Sequence, residues 1–154
     1  MEKKYRPNVA AVILSCNYPK ECELFIAERS DVKGAWQFPQ GGIDESEDVK
    51  AALFRELEEE IGTNEVEIIA EHPNWISYDF PESVANKRYP YDGQNQKYFL
   101  VRLKQDAEIN LRTASPEFIR YKFVSPDDVL KEVSFFKRSI YKQVLAHFKK
   151  SGYL

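Results

Sequence analysis

The stretch from Asp44 to Gly62 constrains this chain more than any other. It contains no proline and no glycine until Gly62. At about 100° per residue, Leu53, Phe54, Leu57 and Ile61 gather on one face of a helix. Glu56, Glu59 and Glu60 gather on another, spaced i, i+3, i+4. Asp44 or Ser46 can cap the start, and Asp44 with Glu47 three residues later fits a capping box. Gly62 suits the stop. A helix with one apolar face needs an apolar layer to lie on, so the rest of the chain must supply one.

Short strand-like runs supply it. Val9-Ala10-Ala11-Val12-Ile13-Leu14 reads as a buried strand, and Leu24-Phe25-Ile26-Ala27 as its hairpin partner across a loop with Asn17 and Pro19. Trp36-Gln37-Phe38 is a short extended piece stopped by Pro39 and Gly41-Gly42. After the helix, Val66 to Ala70, Asn74 to Phe80, Lys97 to Leu103 and Arg120 to Val124 read as further strands. Pro81 to Gln96, between the second and third of these, is irregular and of a length usually tied to function. Ser125-Pro126 opens a helix, and a last helix sets Phe136, Ile140, Val144, Leu145 and Phe148 on one face, with Gly152 beyond its end. The expected fold is α/β: a mixed sheet covered by helices on both sides, one domain over residues 1–154.

The apolar runs are far shorter than the ~20 residues of a membrane span, and the N-terminus lacks the apolar core of a signal peptide. The expectation is a cytoplasmic protein that does not engage a membrane. Cys16 and Cys22 have neither zinc nor redox spacing and are expected to be reduced. His72 and His147, far apart in the chain, make no zinc site by themselves.

Charge is divided unevenly. The segment from Asp44 to Glu71 carries eleven acids against Lys50 and Arg55, a balance of −9, whereas the other residues balance at +6. Three glutamates on one helical face repel one another unless water or a cation intervenes. Hard carboxylate oxygens suit Mg²⁺ or Mn²⁺, which keep several waters and bridge to phosphate oxygens. The basic remainder would attract an anion. Composition equally accommodates a solvated acidic helix.

Spacing narrows the choice. From Gly41 the chain reads Gly41-x5-Glu47-x7-Arg55-Glu56-Leu57-x-Glu59-Glu60-x-Gly62-Thr63. This resembles the Nudix box, Gly-x5-Glu-x7-Arg-Glu-U-x-Glu-Glu-x-Gly-U, where U is a bulky aliphatic. Eight of the nine specified positions match; Thr63 stands where an aliphatic packing residue is expected. The likeness extends over nearly the whole chain through Tyr5-Arg6-Pro7-Asn8-Val9, Trp36-Gln37-Phe38-Pro39-Gln40-Gly41-Gly42 and Gly93-Gln94-x-Gln96-Lys97-Tyr98-Phe99. It continues through Ala107-Glu108-Ile109-Asn110, Pro116-Glu117-Phe118 and Ser134-Phe135-Phe136-Lys137-Arg138. Together these are similar to the bacterial RNA pyrophosphohydrolase branch of the Nudix superfamily, whose members were first described as dinucleoside polyphosphate hydrolases.

The resemblance implies a Nudix-type α/β/α sandwich with a mixed β-sheet. It implies a hydrolase, dependent on Mg²⁺ or Mn²⁺, that converts 5′-triphosphorylated RNA ends to 5′-monophosphate ends and so promotes mRNA decay. Dinucleoside polyphosphates or free nucleotides are the alternative substrates, since the box handles metal-bound pyrophosphate whatever is attached to it. A noncatalytic polyanion-binding domain is the rival of another class, opposed by the complete set of glutamates. By the same resemblance Glu56, Glu59, Glu60 and Glu117 correspond to metal-binding carboxylates, with Gly41 beside them. Glu56, Glu60 and Glu117 are the candidate general bases, and Arg55 orients the carboxylates. Gln40 and Lys97 are candidate phosphate contacts, and Arg6, Phe136 and Lys137 flank a nucleotide near the 5′ end. No protein partner is identified.

Overall fold

The computed structural model describes residues 2–82 and 90–154. Among them, eight strands form one sheet. They are β1 (Tyr5–Leu14), β2 (Leu24–Arg29), β3 (Trp36–Gln37), β4 (Gln40–Gly42), β5 (Val66–Glu71), β6 (Ile76–Asp79), β7 (Gly93–Leu103) and β8 (Phe118–Val124). The helices named among the described residues are α1 (Val49–Ile61), α2 (Pro126–Glu132) and α3 (Phe135–Lys150).

β1 is the spine. It runs parallel to β7, from Tyr5 opposite Gly93 to Leu14 opposite Arg102. β4 pairs antiparallel with it, placing Gly41 opposite Val9. β5 and β6 pair antiparallel with β7, and β3 and β8 with β2. The unbroken apolar run of β1 follows from burial on both faces, where alternation has no polar side to show. Ala10, Val12 and Leu14 enter a layer shared with Tyr141, Val144 and Phe148 of α3. Val9, Ala11 and Ile13 enter the opposite layer with Leu53, Leu57 and Ile61 of α1. The expected mixed sheet between helices is therefore what the chain forms.

Three local expectations are corrected. First, α1 is capped by Asp48, whose carboxylate accepts from Ala51 N at 3.2 Å, and not by Asp44 or Ser46. Asp44 and Glu47 do close on each other, through Asp44 N to Glu47 Oε1 (3.0 Å) and Glu47 N to Asp44 O (2.9 Å). They make a turn ahead of the helix, with Ser46 at a φ of 66°. Second, β7 begins at Gly93, ahead of Lys97, because the polar Gln94 and Gln96 are buried strand residues. Third, the covered face of α3 comprises Lys137, Ile140, Tyr141, Val144, Leu145 and Phe148, while Phe136 is 41% exposed. Of the irregular stretch read from Pro81 to Gln96, residues 83–89 lie outside the described residues. Among those described, no helix is long and apolar enough to cross a membrane. Cys16 and Cys22 are free thiols.

Leu57 anchors α1 on the sheet and is buried to within 1%. Leu57→Ala should lower unfolding free energy by ~2–5 kcal/mol. A loss below about 0.5 kcal/mol in denaturant titration would mean that this face is not packed.

Candidate active site

α1 points its acidic face at one end of the sheet. There two adjoining cavities, of about 650 and 340 Å³, are both lined by Glu56, Glu59, Glu60 and Glu117. The first three come from one and a half turns of α1, and Glu117 directly precedes β8. Glu117 is fixed by its backbone, whose carbonyl accepts from Ser30 N at 2.8 Å.

Arg55 holds the glutamates in place. Its Nε and Nη2 grip Glu47 at 2.8 Å each, Nη2 also donates to Gly42 O (2.8 Å), and Nη1 donates to Glu56 Oε1 (2.8 Å) and Glu59 Oε2 (3.3 Å). One planar guanidinium thus ties α1 to the turn before it and to β4. The grip of Arg55, with the Asp44 N–H, lowers the Glu47 pKa to about 2, so that carboxylate stays ionised. Glu56 is pulled both ways: burial raises its pKa and Arg55 lowers it. Glu60 lies well above the usual carboxylate range, first from burial and then from Glu56 and Glu117, against the opposing effects of the Gln40 N–H and Lys137. Glu60 is therefore not part of a solvated acidic face; its Oε2 accepts from Gln40 N at 3.2 Å.

The two glycines before α1 have steric reasons. A Cβ on Gly41 would lie 1.9 Å from Glu56 Cδ, and one on Gly42 would lie 2.2 Å from Arg6 Nη2. Gly41 thus backs a carboxylate, and Gly42 backs the Arg6 guanidinium.

Gln40 joins this acidic end to a polar network. Its side-chain oxygen accepts from Lys137 Nζ and Gln96 Nε2, both at 2.9 Å, and its Nε2 donates to Gln94 Oε1 at 3.2 Å. Gln96 is set by Asn8 Oδ1 (2.9 Å) and the Tyr98 hydroxyl (2.7 Å), and Tyr78 donates to Gln94 Oε1 at 2.5 Å. The smaller cavity is lined by Arg6, Gln40, Phe136 and Lys137, so four of the five residues expected to contact substrate meet the carboxylates there.

Lys97 is the exception. Successive strand residues point to opposite faces, so with Gln94, Gln96 and Tyr98 on the cavity side Lys97 faces away. Its Nζ donates to His72 O at 2.5 Å. Asn8, Arg29, Tyr78 and Gln94 line the smaller cavity but were not expected to. For Gln94 a signal existed: counting back by twos from Tyr98 gives Gln96 and Gln94. Tyr78 and Arg29 arrive from separate strands, and nothing local marks them.

Among the described residues, no three acidic, histidine or cysteine side chains already converge as metal ligands would. Arg55 occupies Glu56 Oε1 and Glu59 Oε2. The donor chemistry nevertheless fits a hard divalent cation. All the candidate ligands are oxygens, and the buried Glu60 faces the charges of Glu56 and Glu117 with only partial compensation.

Residues 4–144 match the NUDIX domain family. The chain belongs to the NUDIX family. Members of this family generally need divalent cations. This NUDIX protein is 65% identical over 154 residues to the RNA pyrophosphohydrolase of a Nitratiruptor species, covering 99% of each chain. It is 60% identical over 154 residues to an RNA pyrophosphohydrolase of Helicobacter pylori, covering 100% of this chain and 99% of the relative. Among solved structures, the E. coli dihydroneopterin triphosphate pyrophosphohydrolase superposes with a TM-score of 0.72 at 18% identity, over 94% of this chain and 99% of that one. At that identity the likeness is one of fold.

Proposed function

We propose that this NUDIX protein is a metal-dependent RNA pyrophosphohydrolase that converts 5′-triphosphate ends of RNA to 5′-monophosphate ends, a step that promotes mRNA decay. One observation carries the reading. The smaller cavity, of about 340 Å³, gathers Arg6, Gln40, Phe136 and Lys137 from separate segments onto the same space as Glu56, Glu59, Glu60 and Glu117. The names of the full-length relatives support the same substrate class.

Mg²⁺ or Mn²⁺ held by Glu56, Glu59, Glu60 and Glu117 beside Gly41 would neutralise phosphate charge and acidify water. The chain's own residues do the rest. Arg55 fixes the rotamers of Glu56 and Glu59. The Gln40 N–H and the Lys137 ammonium hold Glu60 in the acidic cluster. As the water oxygen bonds to phosphorus and the bridging P–O bond breaks, the water's proton passes to a carboxylate of the set Glu56, Glu60 and Glu117. Arg6 and Phe136 flank the base, and Lys137 serves the phosphates.

With Mg²⁺ present, the specificity constant for a triphosphorylated oligoribonucleotide should exceed that for a diadenosine polyphosphate; the reverse order overturns the reading. The base clamp has its own check. Arg6→Ala and Phe136→Ala should each lower kcat/KM on the oligonucleotide by roughly tenfold, as loss of ~1.4 kcal/mol of transition-state binding requires. A free nucleoside triphosphate, lacking a second base, should be affected much less. Equal losses on both substrates would reassign these residues to the phosphates.

A further inference from the structure

Phe135, at the first turn of α3, is 84% exposed, the most exposed of the large apolar side chains in the described residues. An isolated exposed phenylalanine would need no account. This one is capped: the Arg138 guanidinium lies 5.9 Å from its ring centroid, one turn along the helix. Arg138 in turn donates to Val133 O at 3.4 Å. Val133 forms a parallel bridge with Trp36, and Trp36 carries two more cations on its ring: Lys122 at 4.4 Å and Arg120 at 5.2 Å from the centroid. The exposed members of this chain of contacts, Phe135, Arg138 and Arg120, form a basic strip over the buried Val133 and Trp36, beginning one residue from Phe136 of the cavity.

Arg120 is presented in an unusual way for a surface residue. Its side chain is 64% exposed, yet Nε is bonded to the buried carboxylate of Glu28 and its Cζ lies over the Trp36 ring. Its terminal nitrogens take no hydrogen-bond partner among the described residues. A guanidinium already fixed at one edge loses little freedom on accepting a phosphate at the other. An exposed ring flanked by cations, as Phe135 is, suits single-stranded nucleic acid, because a base stacks on the ring and the cations follow the backbone.

We propose that this strip is a platform for the nucleotides lying 3′ of the clamped base, so that the enzyme engages single-stranded RNA beyond the pair nearest the triphosphate. The proposal rests on the RNA reading above and extends it away from the carboxylates.

The test uses the full chain with a Phe135→Ala, Arg138→Gln double variant, both residues being exposed, and Arg120→Lys as a second variant that keeps the charge on Glu28. Binding of a 5′-hydroxyl octaribonucleotide, followed by fluorescence anisotropy at low salt, should weaken at least fivefold in the double variant. Binding should show a shallower salt dependence in either variant. In cleavage, the ratio of kcat/KM for a triphosphorylated octamer to that for a triphosphorylated dinucleotide should fall by a similar factor, mainly through KM. Unchanged octamer binding, or equal losses on octamer and dinucleotide, overturns the platform. If the wild type binds the octamer through these residues but cleaves no triphosphorylated RNA, the platform stands and the assignment of the reaction fails. If it cleaves RNA with no dependence on length, the platform alone fails.

Discussion

Glu60→Gln is expected to abolish most turnover, by orders of magnitude, while the protein stays folded. The substitution keeps the shape, and the Gln40 N–H that now donates to Glu60 Oε2 can still find a carbonyl oxygen there. What is lost is the capacity to carry a negative charge there, beside Glu56 and Glu117. If that charge serves a divalent cation, its removal weakens cation binding and with it the neutralisation of phosphate charge in the transition state. Glu56→Gln should behave likewise, with Arg55 still able to donate to the amide oxygen. Because a ligand that binds only the folded state raises its melting temperature, added Mn²⁺ should stabilise the wild type more than either variant. Glu67→Gln is the comparison. Glu67 belongs to a partly exposed pair with Arg102 on β5, away from both cavities, and such pairs contribute little. Wild-type turnover in Glu60→Gln and Glu56→Gln, with the same metal dependence, would remove these carboxylates from the chemistry.

How much of this could be read from the chain depends on whether a feature is local. The box helix is local: Leu53, Leu57 and Ile61 repeat at helical spacing, and they are buried as that spacing implies. Gly62 ends the helix in the left-handed region, at a φ of 77°, as its position suggested. Spacing alone places the cap too early because two carboxylate-bearing turns follow each other, and only the fold shows that Glu47 is committed to Arg55. The polar wall of the cavity was less legible. Gln94, Gln96 and Lys137 look like surface residues, since charged and amide side chains seldom lie in cores. They are buried because they satisfy one another through Gln40. Sequence shows which groups are polar but not that their partners come from β4, β7 and α3 together. For the same reason helical periodicity alone assigns Phe136 to the apolar face of α3 and omits the buried Lys137.

Gly41→Ala is expected to abolish activity on every substrate at little cost to stability. The backbone at Gly41 does not adopt a positive φ, so alanine is conformationally acceptable in β4. Its Cβ, however, would fall 1.9 Å from Glu56 Cδ and 2.0 Å from Glu56 Oε2. These atoms end a flexible side chain, so the carboxylate yields while β4 and α1 keep their places. To yield, Glu56 must leave Arg55 Nη1, now at 2.8 Å, and with it the orientation that Arg55 imposes. The loss should therefore approach that of Glu56→Gln although no charge has been removed. Gly42→Ala is the neighbouring comparison, since its Cβ would meet the Arg6 guanidinium, 2.2 Å from Nη2. Displacing Arg6 should lower kcat/KM on a triphosphorylated oligonucleotide by about tenfold and change hydrolysis of a free nucleoside triphosphate much less. Steady-state kinetics of the two variants on the two substrates, alongside thermal melts, separate the roles. If Gly41→Ala retained activity, Glu56 would not need its present position. If the two variants lost both substrates equally, the division of this turn into a carboxylate-backing glycine and an Arg6-backing glycine would be wrong.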